Sequence, residues 1–215
     1  FISKTPGGKK VNEPMMEELD RMVANGEKTG VMTVSEHGYS LKEYRDHVKK
    51  IVDMSLKVSK AKPGEFRSLT AINPGYAAMG AGSLADGIFG GRTFRSGWLG
   101  YEGEDMITEI TPSSPVEVHS LSMNFLCDHV SWIFLPEEVN IEVSTDGKTF
   151  DTVASGKFPT LTFDQDITPV HMEFEFPAVP AQKIRVTAVS MKKCPEWHRG
   201  AGMPSWIFCD EIVVE

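Results

Sequence analysis

From about residue 63 to the end of the chain, the apolar residues keep a two-residue beat. Val139, Ile141 and Val143 alternate with polar neighbours, as do Met172, Phe174 and Phe176, and Ile184, Val186 and Ala188. Successive side chains of a strand point to opposite faces, so each segment presents one apolar face to a core. Val116 and Val118 hold one parity, whereas Leu121, Met123 and Phe125 hold the other. A β-bulge near His119–Ser120 lets all five face one core. In Thr145-Asp146-Gly147 the Asp-Gly pair supplies the positive φ values of a tight hairpin turn. Short strands at this spacing, with no helix between them, predict a mainly β fold, an antiparallel jelly-roll β-sandwich.

The first 62 residues read differently. Pro14 stands near a helix start, Met15, Leu19, Met22 and Val23 share one face, and Asn25-Gly26 supplies a stop. Ser40 with Glu43 makes a capping box, after which Leu41, Tyr44, Val48, Ile51 and Val52 recur at helical steps. A second helix is predicted over 41–54. Lys57–Pro63 is charged and runs into Gly64, the composition of a linker or of a strand leading into the next domain. The chain therefore divides near 62 into a small helical N-terminal region of unknown role, 1–62, and the sandwich, 63–215.

Composition removes several classes of function. The formal charge of −8 repels a phosphate backbone, and no dense Lys/Arg stripe overrides it, so nucleic acid is excluded as a partner. Cys127, Cys194 and Cys209 are an odd set without Cys-x-x-Cys spacing and read as small buried hydrophobes. No apolar run approaches the roughly 18 residues of a membrane span. The chain opens at Phe1, which reads as an excised piece or a processed chain, so the lack of a leader is uninformative.

No Gly-x-Ser-x-Gly elbow, His-Glu-x-x-His helix or P-loop is present. Asp210-Glu211 is the obvious carboxylate pair, but neighbours on a strand point apart and cannot flank one sugar unless the strand is bulged. Glu102, Glu104 and Asp105 read as a solvated loop. The reading is of a chain that binds and does not cleave.

The segment 195–212 carries the best functional clue, a glycine-broken loop holding Trp197 and His198 that runs into an apolar strand. An indole face stacks on the apolar C–H surface of a sugar while nearby polar tips take hydroxyls. The other account has Trp197 plugging the end of the barrel and His198 bonding a carbonyl. Trp132, after the polar interruption Asp128-His129, is open between ligand platform and loop anchor. Arg199 and Arg95 are candidate forked donors to hydroxyls or carboxylates.

Asn73-Pro74-Gly75-Tyr76, Leu84-Ala85-Asp86-Gly87, Trp98-Leu99-Gly100-Tyr101, Ser131 through Pro136, Ser144-Thr145-Asp146-Gly147 and the stretch from Trp197-His198 to Asp210-Glu211-Ile212 follow in this order. The combination resembles the discoidin-like (coagulation factor V/VIII type C) domain appended to bacterial β-hexosaminidases or chitobiases, and more loosely the family 32 carbohydrate-binding modules. The likeness spans about residues 66–215. It implies a galactose-binding-like sandwich whose end loops hold a glycan, as a non-catalytic accessory module of a glycoside hydrolase. The resemblance further implies a glycan of amino-sugar or galactose type, an upstream catalytic domain as partner and an extracytoplasmic location.

The resemblance also implies a structural calcium ion, with Asp86 and Glu211 at the two matching carboxylate positions and Thr93 as a further ligand. Ile88-Phe89-Gly90-Gly91-Arg92 departs from the shorter family 32 loop by holding no second acid and by bringing in a cation. A competing reading is a structural or protein-docking module, in which the Trp-His loop packs on a neighbouring catalytic domain.

Overall fold

The computed structural model describes residues 9–29, 40, 42, 45, 46, 48, 49, 61, 64–91, 93–95, 97–158 and 168–215. The chain divides into two compact units, Phe1–Lys57 and Val58–Glu215. In the first, helix α1 runs Lys9–Thr29 with Pro14 inside it. It begins before Pro14 and continues through Asn25-Gly26, so neither predicted end is where the helix stops. A lone glycine costs a helix only about 1 kcal/mol against alanine, which neighbouring good helix formers offset. Met15, Leu19 and Val23 are half-buried, while Met22 is 40% exposed. The predicted 41–54 helix and its capping box fall largely outside the described residues; residues 42, 45, 46, 48 and 49 are helical. The charged segment before Gly64 likewise falls outside them, apart from Ala61.

The second unit contains β1 (Gly64–Ser68), β2 (Leu99–Glu102), β3 (Met106–Pro112), β4 (Val116–Cys127), β5 (Glu138–Ser144), β6 (Asp151–Lys157), β7 (Thr168–Ala181), β8 (Lys183–Val189) and β9 (Trp206–Val214). They form a five-stranded sheet in the order β1-β3-β8-β5-β6 and a four-stranded sheet in the order β2-β9-β4-β7. All the pairings are antiparallel. The protein is a mainly β jelly-roll sandwich.

The two-residue beat is the reason. Val139, Ile141, Ile184, Val186 and Ala188 from one sheet are fully buried against Leu121, Met123 and Phe125 from the other. Each large aliphatic or aromatic side chain so buried is worth about 1.5–3 kcal/mol. The register of β4 on β7 shifts between Val118 and Ser120. That shift lets Val116 and Val118 join Leu121, Met123 and Phe125 in one core. The β5–β6 connection is broader than a tight two-residue turn, because residues 145–150 form it and Gly147 alone takes positive φ, at 74°. Asp146 organises the loop, its Oδ1 accepting the N–H groups of Lys148 and Thr149, both at 2.8 Å.

The four-stranded sheet is apolar on its outer face as well. Leu126 on β4 and Phe208 on β9 point away from the main core and form a second cluster with Trp98 and Ile133. Tyr76, Phe94 and Trp206 pack against it. The segment between β1 and β2 covers this face, and Trp98 is buried, its Nε1–H donating to Gly91 O at 3.1 Å.

Candidate functional site

An open cleft of about 370 Å³ lies over this second cluster, within the size range of small-ligand sites. One wall is aromatic. Tyr76 ends the 3₁₀ turn Pro74–Tyr76, which Asn73 caps by accepting the Gly75 N–H at 2.9 Å. Its ring meets Trp206 at 5.3 Å and Phe208 at 5.0 Å, both edge to face, and Phe94 at 6.0 Å. Gly100 permits this approach, since a Cβ there would lie 2.9 Å from Phe208 Cζ and 3.0 Å from Tyr76 Cβ.

The other wall is the 130–133 turn with Arg199. Asp128 caps that turn, its side chain accepting the Ser131 N–H at 3.2 Å. Trp132 takes a left-handed φ of 67° while its N–H donates to His129 O at 2.9 Å. Arg199 Nη2 donates to Val130 O at 2.6 Å and so ties the 195–203 loop to the turn.

His198 lies beneath this wall, 6% exposed. Its Nδ1 accepts the Gly200 N–H at 3.0 Å and its Nε2 lies 2.7 Å from His129 O. The first contact requires a lone pair on Nδ1, so the proton sits on Nε2 and is donated to the carbonyl. Both ring nitrogens are thereby committed to backbone. Gly200 completes the arrangement, because a Cβ there would stand 2.9 Å from Trp132 Cε2. His198 and Gly200 therefore seat Trp132. Burial lowers the pKa of neighbouring His129, and His198 adds to the effect, which favours the neutral ring.

Of the predicted ligand-binding residues, Trp132 and Arg199 line the cleft. Trp197 does not. It is 40% exposed and packs against His129, ring centroids 5.3 Å apart. Arg95 is exposed, its guanidinium 5.9 Å from the centroid of Phe94, at the edge of the aromatic wall. Tyr76, Phe94, Trp206 and Phe208 had not been predicted as site residues. The parity of β9 carries the signal for two of them: Ile207 and Cys209 serve the main core, so Trp206 and Phe208, apolar on the other parity, require a second partner.

The carboxylates of β9 hold the loop that brings Phe94 to the cleft. Between Met123↔Ile212 and Phe125↔Cys209 the register shifts, leaving Asp210 and Glu211 opposite Asn124 alone. β9 is therefore bulged at this pair, and both side chains reach the same loop. Both oxygens of Glu211 accept from Gly87 N, at 3.1 and 2.9 Å, and Asp210 Oδ2 accepts from Gly90 N at 2.9 Å and from Asn124 Nδ2 at 3.2 Å. The pair lies outside the cleft lining.

Calcium prefers six to eight hard oxygen ligands. Asp86 and Glu211 flank Gly87 with carboxylates of that chemistry, and Asp86 Oδ1 accepts the Ile88 N–H at 2.6 Å. Thr93 Oγ1 accepts the Arg95 N–H at 3.1 Å. Among the described residues no three His, Cys, Asp or Glu side chains group as metal ligands. The donor set fits calcium only where backbone carbonyls of the 87–93 loop complete the shell.

No protein-family model matches the chain, and no curated protein matches it. Solved structures do. A GH29 fucosidase from Ruminococcus gnavus, in complex with fucose, matches with a TM-score of 0.51 and 13% identity, over 82% of this chain and 31% of its own. A family 89 glycoside hydrolase from Clostridium perfringens matches with a TM-score of 0.48 and 17% identity, over 73% and 14%. A family 32 carbohydrate-binding module from that organism, in complex with GalNAc-β-1,3-galactose, matches with a TM-score of 0.44 and 14% identity, over 72% and 96%. At these identities the likeness is one of fold.

Proposed function

We propose that the 63–215 sandwich is a non-catalytic carbohydrate-binding accessory module of a glycoside hydrolase of β-hexosaminidase or chitobiase type. It holds an amino-sugar or galactose-type glycan in the cleft between Tyr76, Trp206 and Trp132. The observation that carries this reading is the cleft itself, open, about 370 Å³ in volume and walled by aromatic rings with one guanidinium at its edge. Flat rings stack on the C–H faces of a pyranose, and the polar tips take its hydroxyls. Its fold is shared with a fucosidase chain of which it spans 31%, which suits a module joined to a catalytic domain. Calcium held by Asp86, Glu211 and Thr93 belongs to the same proposal, with a purely structural role in fixing the 86–94 loop. So does an extracytoplasmic location; among the described residues no helix is long and apolar enough to cross a membrane.

Affinity for one sugar unit is on the order of millimolar, since a few stacked and hydrogen-bonded contacts must offset the entropy of association. Calorimetric titration with amino-sugar and galactose-type glycans tests the reading. Trp206→Ala and Trp132→Ala weaken binding at least tenfold. An intact, folded chain that binds none of these glycans overturns it.

The docking alternative draws on a different observation. Trp197, Val130 and Met203 are 40%, 64% and 52% exposed on the loops beside the cleft. Concentration-dependent self-association in sedimentation velocity, abolished by Trp197→Ser, favours it; a monodisperse chain with intact glycan binding in that variant counts against it.

A further inference from the structure

The polar groups of the cleft are lopsided. Its one charged lining group is the Arg199 guanidinium, and the other polar side-chain groups are the hydroxyls of Ser131 and Tyr76 and the indole N–H groups of Trp132 and Trp206. No Asp, Glu, Asn, Gln, Lys or His stands among these described lining residues. A guanidinium has five N–H donors and no acceptor, an indole only donates, and a hydroxyl does either. Among the lining side chains, donors therefore exceed acceptors. A neutral sugar presents hydroxyls that seek both kinds of partner, whereas a carboxylate only accepts.

The placement of charge points the same way. The carboxylate of the adjoining turn, Asp128, is 4% exposed and faces inward onto the Ser131 N–H. Arg199 commits Nη2 to Val130 O. That bond fixes the guanidinium at the cleft edge and leaves its remaining N–H groups for a ligand. A second guanidinium, that of Arg95, stands by Phe94 on the opposite wall. In a chain of formal charge −8 the cleft is edged by arginine and has no acid in its described lining, the nearest on the aromatic side being Glu102, which is paired across from Trp206 and accepts from Asn73.

We infer that the saccharide recognised in this cleft carries a carboxylate, a hexuronate whose acid group lies against Arg199 while its ring rests on Tyr76 and Trp206. This rests on the carbohydrate-binding reading and narrows it. Within the galactose-type class it names galacturonate over galactose, and it disfavours a cationic, unacetylated amino sugar.

The test is calorimetric or NMR titration of the full chain with digalacturonate, its methyl ester and lactose. The ester keeps the ring shape, removes the charge and adds one methyl group, so the salt dependence of the difference is what reports on charge. The acid binds at least tenfold tighter than the ester in about 20 mM salt, and the advantage shrinks in about 0.5 M salt, where the Debye length is only a few ångströms. Arg199→Gln abolishes the preference and Arg199→Lys retains part of it, because a point charge replaces the fork. Should Arg199→Gln fail to fold, the acid-against-ester ratio in the unaltered chain decides. Equal affinity for all three saccharides, or binding of none of them, overturns the charge selection; the carbohydrate-binding reading falls only if the amino-sugar titration fails as well.

Discussion

Gly90→Ala tests how the loop over the outer aromatic cluster is seated. A Cβ at Gly90 would lie 1.9 Å from Trp98 Cε2, 2.3 Å from Nε1 and 2.4 Å from Cδ2, against ordinary contact at 3.4–4 Å. Trp98 has little room to retreat, being 2% exposed among Leu126, Ile133 and Phe208. The loop must therefore rise by about 1.5 Å to restore the 3.4 Å limit, enough to break the 2.9 Å bond from Gly90 N–H to Asp210. Overpacking costs about 1–3 kcal/mol. Loss of a hydrogen bond to a charged group costs about 1.5–3 kcal/mol. The two overlap, since lifting the loop relieves the first by incurring the second, and the expected loss is about 3 kcal/mol. Gly91→Ala is the control, with nothing within 4 Å of its Cβ and an expected change within about 0.5 kcal/mol. All four tryptophans, Trp98, Trp132, Trp197 and Trp206, lie in the sandwich, so urea unfolding followed by their fluorescence reports on that unit. Equal midpoints and slopes for the two variants would refute the reasoning.

Three further outcomes follow from the same geometry. If calcium joins Asp86 and Glu211, saturating it at 100 times its Kd adds about 2.7 kcal/mol and raises Tm by about 5–10 °C over a chelated sample; an unchanged midpoint removes both residues as ligands. His198→Ala leaves His129 O and the Gly200 N–H without their partner in a buried loop and costs about 2–4 kcal/mol, read by urea unfolding, whereas a loss under about 1 kcal/mol would show that the loop relaxes around the gap. Burial pushes the Cys127 thiol up to about 12 and the Cys209 thiol well above its ordinary value, the neighbouring acids adding to both. Between about pH 9 and 12 the unfolded chain ionises these thiols while the folded chain keeps them protonated, so the stability present below pH 9 is lost as pH rises, by up to about 1.4 kcal/mol per unit for each. Tm measured from pH 8 to 10.5 falls less steeply in the Cys127→Ala/Cys209→Ala double variant, and parallel profiles would count against the assignment.

The sandwich was legible because each strand had to pack one face on a shared core, and alternation records that demand directly. Even the bulge after Val118 could be read, since the parity of five apolar residues reverses there and only an extra residue reconciles them. The ends of α1 were not, because glycine and proline bias a helix boundary by amounts that neighbouring residues override. The cleft was only half legible. Trp132 and Arg199 stand in loops that look irregular in the sequence, whereas Tyr76 and Trp206 meet only because β2 pairs with β9, with Leu99 opposite Cys209 and Tyr101 opposite Ile207. No local pattern encodes that pairing. Conversely, Trp197 and His198 looked like ligand residues because their neighbours are glycine and proline. That composition serves equally for a loop folded tightly on itself, as it is around His198.

Asp210 and Glu211 show how one inserted residue changes what a strand does. On a regular strand one of the two would enter the main core, where an unpaired carboxylate is costly to bury. The bulge opposite Asn124 turns both outward instead. Ile207 and Cys209 before it, and Ile212 and Val214 after it, still reach the same core although two residues, not one, lie between Cys209 and Ile212. The displaced carboxylates take the N–H groups of Gly87 and Gly90, backbone donors that no ladder satisfies. Phe94, four positions after Gly90, forms part of the cleft wall. The acidic pair thus lies outside the cleft lining and is bonded to the segment that leads to Phe94.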